Sequence, residues 1–150
     1  HKIVDFFPDG SDERQYCSPG FDLPIGSLMR SMYGTYPEYH TSLDNKEFIS
    51  FDSLVKTVEV YLKIILSLEN NARFLGTVLE GEPMLGPRGL YPTLGSQKEV
   101  EVTVNRILWI LNLSDGKADL LQIAERSGHP VIELATLAET LREKGLLKLI

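Results

Sequence analysis

The chain has 150 residues, 43% of them apolar and 24% charged, with a formal net charge of −6 and one cysteine. This is material for one modest core or two small ones, and the acidic balance gives no general attraction for phosphate backbones or anionic lipid. Cys17 has no partner for an internal disulfide, no run approaches the roughly 20 apolar residues of a membrane span, and His1-Lys2-Ile3-Val4-Asp5 has no signal-peptide pattern; a soluble, cytoplasmic protein is expected.

In chain order, Ile3-Val4-Asp5-Phe6-Phe7 reads as a strand stopped by the turn formers Pro8-Asp9-Gly10. A strand this apolar belongs in the middle of a sheet, so the expectation is that other strands precede it and that the chain is the C-terminal part of something larger. A polar stretch, Ser11 to Cys17, runs up to the breakers Ser18-Pro19-Gly20. Leu23 to Arg30 reads as a second strand, with Pro24 at its entry where a missing N–H is tolerable. The run Tyr36-Pro37-Glu38-Tyr39-His40-Thr41-Ser42-Leu43-Asp44-Asn45 follows. Then Ser50 stands as an N-cap, Asp52 in the first turn, and Phe51, Leu54, Val55, Val58, Leu62, Ile65 and Leu66 recur at helical spacing to about Leu68.

From Gly76 to Gly95 the glycines and prolines Gly81, Pro83, Gly86, Pro87, Gly89, Pro92 and Gly95 predict a crossing segment without regular structure. Three helical patterns follow, about Val100–Leu113, Ala118–Ser127 and Val131–Lys144. Gly128 and Gly145 stand at C-cap positions, Pro130 suits a first turn, and Ser114-Asp115-Gly116 reads as a turn. Leu146 to Ile150 can close the chain as a short strand. Three short helices and a strand form a helix-turn-helix module of the winged type, with Ile107, Leu108, Trp109, Leu111, Leu120, Ile123, Leu134, Leu137 and Leu141 as core. The expected division is 1–75 for an α/β part, 76–97 for the crossing segment and 98–150 for the winged helix.

The chemistry of the residues centres on His40, because imidazole serves both proton transfer near neutral pH and transition-metal binding. One histidine is not a metal site, since a catalytic zinc takes about three protein ligands, and neither His1 nor His129 has a context that places it beside His40. On the residues alone, the plainer reading of the run is a strand-to-helix loop rich in turn formers. Arg14 can clamp a carboxylate or phosphate, or pair with Glu13 or Asp9; Arg88 can tie the two halves together. Cys17 lacks a basic neighbour that would activate its thiol. The Gly81 to Gly89 stretch lacks the Gly-Lys-Ser/Thr ending of a phosphate loop.

The segment GSDERQYCSPGFDLPIGSLMRSMYGTYPEYHTSLDN, together with GEPMLGPRGLYPTLG and ILWILNLSDGKADLLQIAERSG, resembles the C-terminal part of the aminopeptidase-like family of bacterial polysaccharide-biosynthesis loci. That family is related to di-zinc aminopeptidases and glutaminyl cyclases. The resemblance covers essentially all 150 residues and implies the C-terminal part of a mixed α/β sheet with helices, followed by the winged helix-turn-helix. It also implies roles: His40 as a zinc ligand, Tyr39 polarising the substrate carbonyl, and Asp12 near the substrate amine. Glu13 departs from the histidine common beside that aspartate, and Arg14 adjoins it. Asp44 is a candidate partner for a metal-bound imidazole. In the family the other zinc ligands and the general-base glutamate lie upstream of this chain's first strand. The implied activity is therefore that of a metallo-aminopeptidase acting on a peptide-like or amino-group-bearing substrate in an intact protein, with this chain alone inactive.

A non-catalytic scaffold or interaction module is the competing expectation. The third helix of the winged module carries Glu133, Glu139 and Glu143 against Arg142 and Lys144, the wrong balance for a helix that reads DNA. No nucleic acid and no membrane are expected as partners, but rather an upstream domain or a second copy of the chain.

Overall fold

The computed structural model describes residues 2–9, 12–91 and 97–150, so the expectations that fall on His1, Gly10, Ser11, Pro92 and Gly95 lie outside them. Contacts divide the chain into two units, His1–Phe51 and Asp52–Ile150.

In the first unit a short helix, α1 (Asp12–Tyr16), opens with the acids Asp12 and Glu13 in its first turn, the end of a helix where negative charge is favoured. It stops in a tight turn in which Asp22 N donates to Ser18 O (2.8 Å) and Leu23 N to Tyr16 O (3.0 Å). The Cys17 thiol donates to Leu23 O at 3.2 Å, a structural use for the cysteine. Neither expected strand forms: residues 3–7 and 23–30 carry no regular secondary structure. A strand exists only as part of a ladder, and here Pro24 offers no N–H while Ile25 N turns back onto Leu23 O (2.9 Å). Among the described residues of this unit no side chain is buried.

The second unit begins with α2 (Phe51–Glu69), starting one residue after Ser50 and carrying Asp52 in its first turn as expected. Its apolar residues occur on every side, from Val58 and Leu62 to Val60 and Ile64, and none is buried. A helix apolar all round is ordinarily an interior helix. Beyond it, the strand β1 (Arg73–Gly76) is the centre of a three-stranded antiparallel sheet, flanked by β2 (Asp115–Asp119) and β3 (Leu147–Leu149). The helices are α3 (Gln97–Leu113), α4 (Leu120–Ser127) and α5 (Val131–Glu143), close to the expected ranges.

Asp115 and Gly116 start β2 rather than an interhelical turn. Arg73 pairs with Asp119 and Leu75 with Asp115, so β2 takes extra residues over the same span of β1. Such a bulge calls for an unusual backbone, which Gly116 supplies at φ +84°. The α4 start is capped twice over: Asp119 accepts from Gln122 N (2.9 Å) while the Gln122 side chain accepts from Asp119 N (3.0 Å). Leu121 N is satisfied by Asn71 Oδ1 (3.0 Å) and Leu120 N by Ala72 O (3.1 Å), which fixes the end of the α2–β1 connection to α4.

Ile107, Ile110, Leu120, Ile123, Leu134, Leu141 and Leu146 are fully buried between helices and sheet, and Trp109, Leu111 and Leu137 pack against them. Each buried Leu or Ile contributes roughly 1.5–3 kcal/mol relative to exposure. Leu108, expected in the core, is on the outer side of α3 at 36% exposure. Within the crossing segment Leu85 and Leu90 are buried in the same core, either side of a 3-10 turn at Gly86–Arg88. The winged module therefore reaches back to Arg73 instead of starting at 98. Arg88 Nη1 donates to Met84 O (2.6 Å) in its own turn.

Candidate functional site

Residues 36–48 carry the histidine through a succession of tight turns. Tyr39 N donates to Tyr36 O (3.3 Å), Thr41 N to Glu38 O (3.1 Å), and Asp44 N to Thr41 O (3.1 Å). The Thr41 hydroxyl donates to Glu38 O (2.8 Å) and accepts from Leu43 N (3.2 Å). These are the self-directed bonds that Ser, Thr, Asn and Asp side chains make in turns. They leave His40 in the left-handed region at φ +58°, a conformation costly for a residue with a Cβ and frequent at functional sites. Its imidazole is exposed and lies flat on the half-buried Tyr39 ring, centroids 4.0 Å apart and planes 15° apart.

The structure thus joins two of the predicted site residues, Tyr39 and His40. Asp44 sits four residues on in the same loop, exposed, with its N–H bound to Thr41 O. Asp12 and Arg14 are exposed on α1 and Glu13 is half-buried there. Among the described residues no hydrogen bond or ion pair links α1 to the 36–45 loop, and Arg14 pairs with neither Asp9 nor Glu13. Tyr33 and Tyr36, the aromatic neighbours of Tyr39, and Phe48, which stacks on Tyr36, have no counterpart among the sequence-predicted site residues. The only signal for the two tyrosines was the spacing 33, 36, 39, which outside a helix points to no shared face, and Phe48 had none.

An imidazole in such a loop can give one nitrogen to a metal. Among the described residues, however, no three His, Cys, Asp or Glu side chains gather into a group able to hold a metal ion. The described residues therefore do not fit a zinc site by themselves.

In the winged module, charge is internally paired. Arg106 of α3 meets Glu133 of α5, and Arg142 Nε donates to both Glu139 carboxylate oxygens at 2.9 Å. The guanidinium holds the Glu139 carboxyl below the usual carboxylate range, and the bond from Lys117 N does the same for Asp115. The His129 ring is bonded through Nε2 to Asn105 Oδ1 (2.9 Å), tying the α4–α5 turn to α3. A groove of about 590 Å³ lies beside α3, lined by Leu79, Glu82, Pro83, Leu108, Asn112 and Asp115 among others. No helix among the described residues is long and apolar enough to cross a membrane.

Comparison with known proteins gives two family matches. Residues 1–71 match a model described as a domain of unknown function (DUF4910), and residues 73–149 match a model described as winged helix-turn-helix. The chain is 44% identical over 148 residues to a Clostridium acetobutylicum protein provisionally named a polysaccharide biosynthesis protein with an aminopeptidase-like domain; the match covers 99% of this chain and 34% of that protein, in its C-terminal part. A crystal structure from Clostridium acetobutylicum, its protein provisionally named a peptidase, matches with a TM-score of 0.83 and 41% identity over 98% of this chain and 32% of that one. The chain spans about a third of the length of both relatives. With just over half of its residues under the second family model, the chain belongs to the winged helix-turn-helix family.

Proposed function

We propose that the chain serves as one part of a zinc-dependent aminopeptidase-like hydrolase connected with polysaccharide biosynthesis. In that protein His40 is one zinc ligand, Tyr39 stabilises the charge that develops on a substrate carbonyl, and Asp12, Glu13 and Arg14 line the place of a substrate amine or carboxylate. The observation that carries this reading is the 44% match along nearly the whole chain to a relative with an aminopeptidase-like domain. Supporting it, the imidazole is exposed, stacked and held in a left-handed backbone, an arrangement suited to presenting a nitrogen outward. Asp44, four residues on in the same loop, is in this reading the carboxylate that orients the metal-bound ring. The remaining ligands and the general base belong to residues outside this chain, so the chain alone is inactive. The single Cys17 is consistent with a cytoplasmic setting.

The test is zinc content. In a protein of the relatives' full length that carries this chain, His40→Ala is expected to reduce bound zinc sharply, measured by elemental analysis after dialysis. Unchanged zinc sinks the ligand assignment.

A second reading is favoured by α2, whose apolar side chains are exposed on every side. It is that of a scaffold whose apolar surface is covered by an upstream domain or by a second copy of the chain. In this reading the winged helix meets protein rather than nucleic acid, because Glu133, Glu139 and Glu143 on α5 repel phosphate. Sedimentation of the 150-residue chain over a range of concentrations separates the two coverings: a second copy gives concentration-dependent association, and a strictly monomeric species rules it out.

A further inference from the structure

The two ends of the His40 loop are joined by rings. Tyr36 and Phe48 stack with centroids 5.8 Å apart and planes 25° apart, and between them Asn45 gathers the chain, its Oδ1 accepting from Glu47 N (2.9 Å) and its carbonyl from Phe48 N (3.1 Å). Residues 36–48 are thus an Ω-loop, a compact surface loop whose closed ends make it a unit. The ring series continues inward. Tyr36 meets Tyr39 edge to face at 5.7 Å and 74°, Tyr33 buttresses Tyr39 at 6.1 Å, and Tyr39 lies flat on His40. Phe48, Tyr36, Tyr39 and His40 therefore form a continuous line from the closing pair to the imidazole.

We propose that Tyr36 and Phe48 are positioning residues, a ring clasp that closes the loop and thereby fixes the Tyr39–His40 pair. Two facts call for such a device. His40 holds a left-handed backbone without being glycine, and a strained conformation persists only where its surroundings over-determine it. The unit that contains the loop buries no described side chain, so among the described residues that constraint comes from the turn hydrogen bonds and from the line of rings that closes the loop around them. The proposal deepens the reading of His40 as a ligand and rests on it only for its purpose; the clasp itself is testable without metal.

The test is proton NMR of the 150-residue chain at one fixed pH, with the His40 carbon-bound ring protons assigned by their loss in His40→Gln. Stacked on the Tyr39 face, these protons are displaced upfield from the free-imidazole position. In Phe48→Leu the clasp opens and the displacement collapses, while Phe48→Tyr, which keeps the ring, retains it. The methyl signals of Leu134 and Ala138 in the winged module stay put in every variant. If Phe48→Leu undoes the loop altogether, His40 still moves to the free position, as the clasp requires. An unmoved His40 in Phe48→Leu, or equal loss in Phe48→Tyr, overturns the proposal. Unchanged zinc in His40→Ala of the longer protein would remove the ligand assignment and leave the clasp standing, so the two failures are told apart.

Discussion

Residues 73–150 and residues 2–51 use apolar side chains in opposite ways. In the winged module Phe74 of the central strand, Ile107 and Ile110 of α3, Ile123 of α4 and Leu134 and Leu141 of α5 all converge and are buried. In the first unit Phe6, Phe7, Phe21, Leu28 and Met29 are as apolar and remain exposed. The difference lies in layering. Three helices set against one sheet give each apolar stripe a facing stripe, whereas the five-residue helix and the series of turns among the described residues of the first unit give none. What order the first unit has comes from hydrogen-bonded turns and from ring contacts around Tyr39, which means that its geometry is local and depends on few residues.

The comparison breaks most readily at Leu134. Truncation to Ala at this fully buried α5 position is expected to cost about 2–5 kcal/mol, read from urea denaturation followed by the fluorescence of Trp109. Leu62→Ala on α2, where the side chain is half exposed, is expected to stay within about 0.5 kcal/mol. A large loss at Leu62 would show that α2 already has a covering in the isolated chain. Hydrogen exchange sharpens the same contrast: amides of α3 to α5 are expected to exchange at the rate of global unfolding, and those of residues 12–48 far faster.

How much of this was legible in the sequence follows the same division. The winged module was readable because its signals are local and agree: 3.6-residue periodicity, Gly128 and Gly145 after helices, Pro130 before one. Its sheet was not readable in full. β1 is four residues long with a single buried side chain, Phe74, and β2, DGKAD, has the composition of a turn; both exist because they pair with each other and with β3. The strands expected at 3–7 and 23–30 have the right residues and no ladder. At the candidate site His40 and Tyr39 stood out by residue type and proved to be in contact, while the closure of their loop by Tyr36 and Phe48 depends on a twelve-residue separation that no periodicity marks.

Gly128 provides a smaller test within the stable module. It ends α4 at φ +72° with its N–H on Ala124 O, and a Cβ added there would meet nothing within 4 Å. Gly128→Ala therefore isolates backbone strain from steric clash, with an expected loss of about 1–2 kcal/mol by denaturation. A neutral result would mean that the turn relaxes into a right-handed conformation. Smaller again is the cap: Asp119→Ala removes the acceptor for Gln122 N, for about 1 kcal/mol. The companion Asn71→Ala removes the acceptor for Leu121 N. An equal loss there would establish that the segment between α2 and β1 is energetically part of the winged module.

The smallest expected effect concerns the Glu139–Arg142 pair on α5, which is solvent-exposed and bonded through Nε. Arg142 lowers the Glu139 carboxyl from its ordinary value of 4.5, so the folded state holds the proton less tightly than the unfolded chain does. The pair's contribution is then fully present above the unfolded pKa and fades as pH falls through the lower folded value, because protonation removes the charge that Arg142 favours. Glu139→Gln should remove that acid-side slope from the stability profile and lower neutral stability by the same small amount, since exposed pairs are weak and salt-screened. The measurement is the denaturation midpoint of both proteins across the acid range at low and at high salt. An acid slope of equal size in wild type and Glu139→Gln would place the responsible carboxylate elsewhere, with Asp115, lowered by the bond from Lys117 N, as the next to be replaced.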